Sequence, residues 1–112
     1  MKIDKVYWHD GILDQVSFAP KEGRAGAFIF TMQASLHPGP QDRSRQSYRF
    51  TFVGSGLLSL GCDFYELRMN KWAGNISNGY AKEQADGKVF WLYLVDGHIT
   101  FNFRSVKIET LS

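Results

Sequence analysis

The fold of this chain is decided by residues 88–103, which read KVFWLYLVDGHITFNF. Two runs rich in β-branched and aromatic residues flank the pair Asp96-Gly97 at the centre of the stretch. Such a pair between two apolar runs is a strong hairpin signal, because a two-residue type I′ turn needs positive φ at both positions. We therefore predict a β-hairpin whose register is set by pairing Val95 with His98.

Alternation along these two strands separates an apolar face from a mixed one. The apolar face, which we expect in the core, carries Phe90, Leu92, Leu94, Ile99, Phe101 and Phe103. The opposite face carries Val89, Trp91, Tyr93, Val95, His98, Thr100, Asn102 and Arg104. That second face is either a solvated side of the sheet or the floor of a binding surface.

Length and composition favour a single globular domain over residues 1–112, with 44% hydrophobic and 15% aromatic residues. The net charge of +2 gives no strong attraction to nucleic acid or membranes. Cys62 is the single cysteine, which excludes an internal disulfide and a cysteine-based metal cluster. The N-terminus lacks an apolar signal region, and no apolar run approaches membrane-spanning length, so we expect a cytoplasmic protein that does not contact membranes.

The rest of the chain also reads as short strands separated by turns. In residues 12–18 we expect Ile12, Asp14, Val16 and Phe18 to share the core face. Proline and glycine end the strands, and Asn78-Gly79 is expected to form a turn. Further strands are predicted at 27–35 and 47–53. Gly54-Ser55-Gly56 breaks the alternation, and a short strand is predicted at 57–60 after a bulge or a turn.

Three other segments have distinct patterns. Residues 37–46 contain two prolines and form a long polar loop, which length alone marks as mobile or functional. Asp63 followed by Glu66 has the spacing of a capping box and predicts a short helix at 64–70, although a strand fits nearly as well. After Phe103 the apolar positions change parity, which predicts a β-bulge near Arg104-Ser105 or a separate edge strand.

No motif indicates catalysis. His9, His37 and His98 lack the spacing of a metal site, and the glycine-containing segments lack nucleotide-binding and hydrolase signatures. We therefore expect no catalytic residues, no metal and no cofactor. A weak enzyme around His9, Asp10 and His98 would require these side chains to converge on one cleft. Cys62 is expected to be a small core residue, with a reactive thiol at a helix start as the alternative.

The mixed hairpin face supplies the candidate binding residues. Aromatic and arginine side chains are common anchors of protein interfaces, and exposed aromatic rings on a sheet also stack nucleic-acid bases. A covering second layer of structure is the purely structural alternative. The candidate site comprises Trp91, Tyr93, Arg104, Asn102 and His98 on the hairpin, with Arg43 and Arg45 in loop 37–46.

Two segments resemble a known group of small bacterial β domains. Residues 8–13 are similar to the opening of these domains, in which a His-Asp pair precedes an apolar first strand. Residues 75–77, followed by 90–99 with Asp96 and Gly97 in place, resemble their closing half. The group includes uncharacterised proteins and immunity protein 50 of bacterial toxin systems. The resemblance implies a β-rich fold and toxin-neutralising binding, and it implies no catalytic residues.

Together these patterns predict an all-β, mainly antiparallel domain, built as a two-layer sandwich or a partly open barrel with at most one short helix. The expected function is non-enzymatic binding of a protein partner, with a toxin as the candidate partner. The alternative is a β domain that binds single-stranded nucleic acid or a small ligand. Residues 106–110 could also form an exposed edge that pairs with a second copy of the chain.

Overall fold

The computed structural model describes residues 1–23, 25–69, 74–84 and 87–111. It confirms an all-β fold: a six-stranded antiparallel sheet in the order β1-β2-β3-β6-β5-β4, with one short helix and a 3₁₀ turn at Ile3–Lys5. The elements are β1 (Ile12–Pro20), β2 (Ala27–Leu36), β3 (Gln46–Cys62), α1 (Phe64–Met69), β4 (Ile76–Gln84), β5 (Gly87–Leu94) and β6 (Gly97–Leu111). No helix in this part of the chain is long and apolar enough to cross a membrane.

Two long strands allow one sheet to form two layers. The first part of β3 pairs with β2, and the first part of β6 pairs with β5, while β3 and β6 pair with each other almost throughout. The sheet therefore folds over along the β3–β6 ribbon. One layer contains β1 and β2, the other contains β4 and β5, and the sheet does not close into a full barrel.

Aromatic side chains fill the space between the layers. Phe101 lies 5.1 Å from Phe30 and 5.0 Å from Phe52, measured between ring centroids, and Phe52 lies 4.8 Å from Phe90. These rings are almost fully buried, as the sequence pattern predicts for Phe90 and Phe101. Trp8, which precedes β1, is only 2% exposed and packs against Phe50 and Phe90.

The edge strands β1 and β4 are joined at one end of the molecule. Ile76 N–H donates to the carbonyl of Gly11 at 2.9 Å, and Asp10 N–H donates to the carbonyl of Ile76 at 3.1 Å. Asn75, 2% exposed, extends this junction because its Oδ1 accepts the N–H of Leu13 at 2.7 Å. The junction holds the two layers together at this end, since buried backbone groups require such partners.

Replacing Asn75 with alanine is expected to lower the free energy of unfolding by about 2 kcal/mol. The substitution removes the acceptor for the Leu13 N–H and leaves a partly buried donor without this partner; the loss of a buried partner typically costs about 1–3 kcal/mol. Urea denaturation followed by circular dichroism measures the change. Asn78→Ala, at an exposed position on the following strand β4, is the matched control and should lower the free energy of unfolding by less than about 0.5 kcal/mol.

The predicted hairpin is present, but its predicted register is wrong. Leu94 pairs with Gly97 and Tyr93 with His98, so the loop residues are Val95 and Asp96. Each residue pairs two positions away from its predicted partner, and this even shift leaves every side chain on its predicted face. The positive-φ residues of the described chain are Asp10 and five glycines, and neither Asp96 nor Gly97 is among them. The turn is therefore not the type I′ turn that the sequence predicts.

Contacts with other strands explain the shift. A Cβ atom on Gly97 would lie 2.4 Å from the carbonyl oxygen of Gly61, so glycine is needed here for close approach to β3. Val95 N–H donates to the Asn75 carbonyl at 3.0 Å, and Asp63 N–H donates to the Asp96 carbonyl at 3.2 Å. Tertiary hydrogen bonds and packing thus select a different turn from the one that local preference favours.

The predicted bulge of β6 is confirmed. Val53 pairs with Ser105 and Gly54 with Phe103, which leaves Arg104 as the extra residue. Val106 and Ile108 consequently pack against the core on the same side as Phe103. The bulge alternative predicted at 54–56 is also present: the pairing of β3 with β6 shifts between Ser55 and Leu58, and β3 continues through this irregularity to Cys62. Gly56 has φ +84°, and a Cβ on Gly54 would overlap the Phe28 ring, so these glycines bend the strand without ending it.

Two smaller predictions are also wrong. A register shift at Asp14 places Leu13 against the core and lets Asp14 accept the Ser35 hydroxyl, so Ile12 and Asp14 do not share the core face. Phe18, also predicted on that face, is 59% exposed. Asn78-Gly79 pairs with β5 as part of β4 and forms no turn. Glycine at position 79 instead leaves room for the Trp8 indole, which lies where a Cβ would be.

The helix prediction is confirmed for Phe64–Met69, and Asn70 lies outside the described residues. Asp63 caps it by accepting the N–H groups of Tyr65 and Glu66 at 3.0 and 3.2 Å. A carboxylate at this position satisfies donors that the first turn leaves open.

Candidate functional site

The outer side of the β4–β5–β6 layer carries a contiguous group of aromatic side chains. Strand pairing places Tyr80 of β4 beside Trp91 of β5, with Thr100 of β6 on the other side of Trp91. Tyr93 lies two residues along β5, on the same face. We call Tyr80, Trp91 and Tyr93 the aromatic face.

In the aromatic face the Tyr80 ring contacts the rings of both Trp91 and Tyr93, and the three rings remain accessible. The ring centroids of Tyr80 and Trp91 are 4.9 Å apart with an interplanar angle of 32°, and those of Tyr80 and Tyr93 are 6.1 Å apart. Tyr80 and Tyr93 are 43% and 42% exposed, and Trp91 is half-buried. The second structural layer therefore lies on the opposite side of this sheet and does not cover the rings.

The phenol groups of Tyr80 and Tyr93 also interact electrostatically. Interaction with the Tyr80 side chain raises the pKa of the Tyr93 phenol, and desolvation acts in the same direction. The raised pKa keeps the Tyr93 phenol neutral near pH 7, and a phenol can donate or accept a hydrogen bond. The aromatic face combines flat apolar surface with two hydroxyl groups at its edge.

Hydrogen-bonding side chains border the aromatic face on β6. His98 pairs with Tyr93, and its Nε2 lies 3.0 Å from the Ser59 hydroxyl. The His98 ring occupies the space above Gly61, where a Cβ would lie 3.0 Å from the ring. Asn102 follows on the same face, half-buried, and pairs with Val89.

Arg104 lies at the far end of this border. It is exposed and is the extra residue of the β6 bulge. A bulge commonly redirects a side chain at the margin of a site. Four predicted hairpin residues, Trp91, Tyr93, His98 and Asn102, therefore share one face, and Arg104 extends it along β6.

The two arginines of loop 37–46 lie in a different part of the molecule. Arg45 Nη1 donates to the carbonyl of Asp10 at 2.8 Å, which ties the loop to the start of β1. His37 is buried and contacts the Ser44 carbonyl at 2.7 Å. Arg43 is exposed on the loop. The structure thus gives Arg45 a packing role and does not join it to the aromatic face.

The histidines that could support catalysis have separate partners. His9 Nδ1 contacts the carbonyl of Ser77 at 2.9 Å, and its Nε2 lies 3.6 Å from an Asp10 carboxylate oxygen. His98 contacts Ser59 instead. Within the described ranges, no group of three or more histidine, cysteine, aspartate or glutamate side chains is arranged to hold a metal ion.

The single thiol has the environment of a packing residue. Cys62 is half-buried and packs against the core cluster at the end of β3. Burial raises the pKa of the Cys62 thiol, partly opposed by a hydrogen bond from the His98 backbone. A raised pKa lowers the fraction of reactive thiolate at neutral pH, which favours the core-residue interpretation.

Sequence reasoning missed Tyr80. The residue follows Asn78-Gly79, whose turn preference concealed the strand in which all three residues lie. The alternation of Asn78, Tyr80 and Lys82 with small inward residues could have indicated that strand. Comparisons with known proteins give no further guidance, because no family model, curated protein or solved structure matches this chain.

Proposed function

We propose that this chain is a non-enzymatic, cytoplasmic bacterial protein that binds a protein partner through the aromatic face. The more specific form of the proposal is an immunity protein, which blocks a toxin by covering part of its surface. The observation that carries the proposal is the cluster of three accessible rings, in which Tyr80 contacts both Trp91 and Tyr93, on strands whose other side forms the core.

The chemistry of the rings suits a protein interface. Tyrosine and tryptophan supply large, stiff contact areas at low entropic cost, and their polar groups pair with backbone or side-chain groups of a partner. Such residues, together with arginine, dominate the binding energy of many interfaces.

The test uses the product of the gene adjacent to this one, purified as an inactive variant, in a calorimetric titration. The double variant Trp91→Ala/Arg104→Ala should weaken binding at least about 30-fold, since loss of a hot-spot residue costs about 2 kcal/mol or more. Thr31→Ala, on the outer side of the other layer, is the control and should bind like the wild type. Unchanged binding by a folded double variant would contradict the assignment of this face.

Stacked rings also fit the alternative of single-stranded nucleic-acid binding, and a titration with a thymidine oligonucleotide separates the two functions. Base stacking quenches tryptophan fluorescence, and phosphate contacts weaken steeply as salt rises. The protein-binding proposal expects no saturable quenching of Trp91 by the oligonucleotide. Salt-sensitive saturation that is lost in Trp91→Ala would instead support the nucleic-acid function.

A further inference from the structure

The C-terminal half of β6 has an open edge. β5 pairs with β6 only as far as Phe103, whereas β3 accompanies β6 to Leu111. Among the described strands, residues 105–111 are therefore paired on one side only. Such an edge presents a row of backbone N–H and C=O groups to an incoming strand.

A groove lies beside this edge. It has a volume of about 630 Å³, and Phe103, Val106 and Ile108 contribute apolar surface to its lining. The N-terminal segment and the end of the β4–β5 hairpin form the other walls. The groove leaves the partly buried side chains of Val106 and Ile108 without full cover on that side.

The other edges of the sheet carry features that discourage strand pairing. β1 has a bulge at Asp14 and ends at Pro20, and β4 has a register shift between Ile76 and Asn78. Residues 105–111, which read SVKIETL, pair regularly with β3 and contain neither proline nor glycine. This segment is therefore the sheet edge best suited to accept another strand.

We propose that the open edge of β6 pairs with the same edge of a second copy, antiparallel, about a two-fold axis at Ile108. In this register Lys107 lies opposite the partner's Glu109, and Glu109 lies opposite the partner's Lys107. Both side chains point to the outer face of the sheet and already lie 3.9 Å apart within one strand. Opposite charges directly across two strands stabilise their pairing.

Charge also selects this register over its neighbours. An axis at Lys107 would place two lysines opposite each other, and an axis at Glu109 would place two glutamates opposite each other. Like charges in directly opposed positions destabilise a strand pair. An axis at Ile108 instead joins two apolar side chains on the groove side, which is the self-complementary pattern of a two-fold interface.

The test measures the mass of the full-length chain by analytical ultracentrifugation over a range of concentrations. We expect the wild type to convert from monomer to dimer as concentration rises. Lys107→Glu alone and Glu109→Lys alone should each weaken dimerisation about tenfold, since two attractive pairs become repulsive. An equimolar mixture of the two variants should recover the dimer, because each chain then offers the charge that the other needs.

Recovery in the mixture cannot come from better folding of either chain, so it separates pairing from stability. Hydrogen exchange should show slower exchange at residues 106–110 in the mixture than in either variant alone. A wild type that stays monomeric at every concentration, or a dimer insensitive to both substitutions, would overturn the proposal. Neither result would affect the aromatic face, which lies on a different part of the sheet.

Discussion

Replacing Trp8 with alanine should lower the free energy of unfolding by about 3–5 kcal/mol, the usual cost of removing a large buried aromatic side chain. Trp8 is 2% exposed, lies 5.1 Å from Phe50 and 5.6 Å from Phe90 between ring centroids, and packs on Gly79. Trp8 therefore contacts β3, β4 and β5, although it does not itself belong to a strand. Domains of this size are typically stable by only about 5–15 kcal/mol, so much of the stability would be lost.

Urea denaturation followed by far-ultraviolet circular dichroism measures this loss without relying on tryptophan fluorescence. Trp91→Ala is the matched control and should cost about 1 kcal/mol or less, because Trp91 lies on the outer face. Trp8→Phe should cost less than Trp8→Ala, since the indole Nε1 has no hydrogen-bond partner among the described residues. Equal costs for Trp91→Ala and Trp8→Ala would contradict the inside–outside assignment of the two tryptophans.

Substituting Gly97 with alanine should lower the free energy of unfolding by about 3 kcal/mol, which is at the upper end of the usual cost of overpacking. The added Cβ would meet the Gly61 carbonyl oxygen at 2.4 Å and the Cys62 Cα at 3.0 Å. Both atoms belong to the β3 backbone, which cannot move without disrupting the pairing of Cys62 with Gly97. The denaturation midpoint of the variant measures the cost.

Replacing Gly97 with asparagine shows whether glycine is required here for close packing against β3 or for a positive φ. If glycine served a positive-φ turn, Gly97→Asn would be milder than Gly97→Ala, because asparagine tolerates left-handed backbone well. The close approach to β3 predicts that Gly97→Asn is at least as damaging. Gly26→Asn is the control, since Gly26 has φ +77° and open space around its Cβ position, and it should cost less than about 1 kcal/mol.

Alternation of apolar residues correctly predicted strands, and the residues that face the core, wherever the pairing with neighbouring strands is regular. It identified β2, the two faces of the β5–β6 hairpin, and the bulge that restores Val106 and Ile108 to the core side. It failed at Asp14 and at Gly79, where a bulge or a side chain from elsewhere changes the local pattern. Turn preferences failed more often, because glycine serves close packing as well as positive φ.

The candidate site was predictable only in part. Trp91, Tyr93, His98 and Asn102 share a face because the hairpin alone determines their orientation, and this follows from a two-residue repeat. Tyr80 joins them through the pairing of β4 with β5, which no local pattern specifies. Arg45 was assigned to the site because of its charge. It instead donates a hydrogen bond to the carbonyl of Asp10, which is 35 residues away in sequence.

The amino-acid sequence by itself determined that this chain is a β domain and which side of its C-terminal hairpin faces inward, because side-chain alternation is a local property of extended backbone. Tertiary structure decided the hairpin register, the role of Gly97 and the joining of β1 to β4 through Asn75. These features depend on steric fit and hydrogen bonds between segments far apart in sequence, whose energies exceed the small differences between alternative local turns.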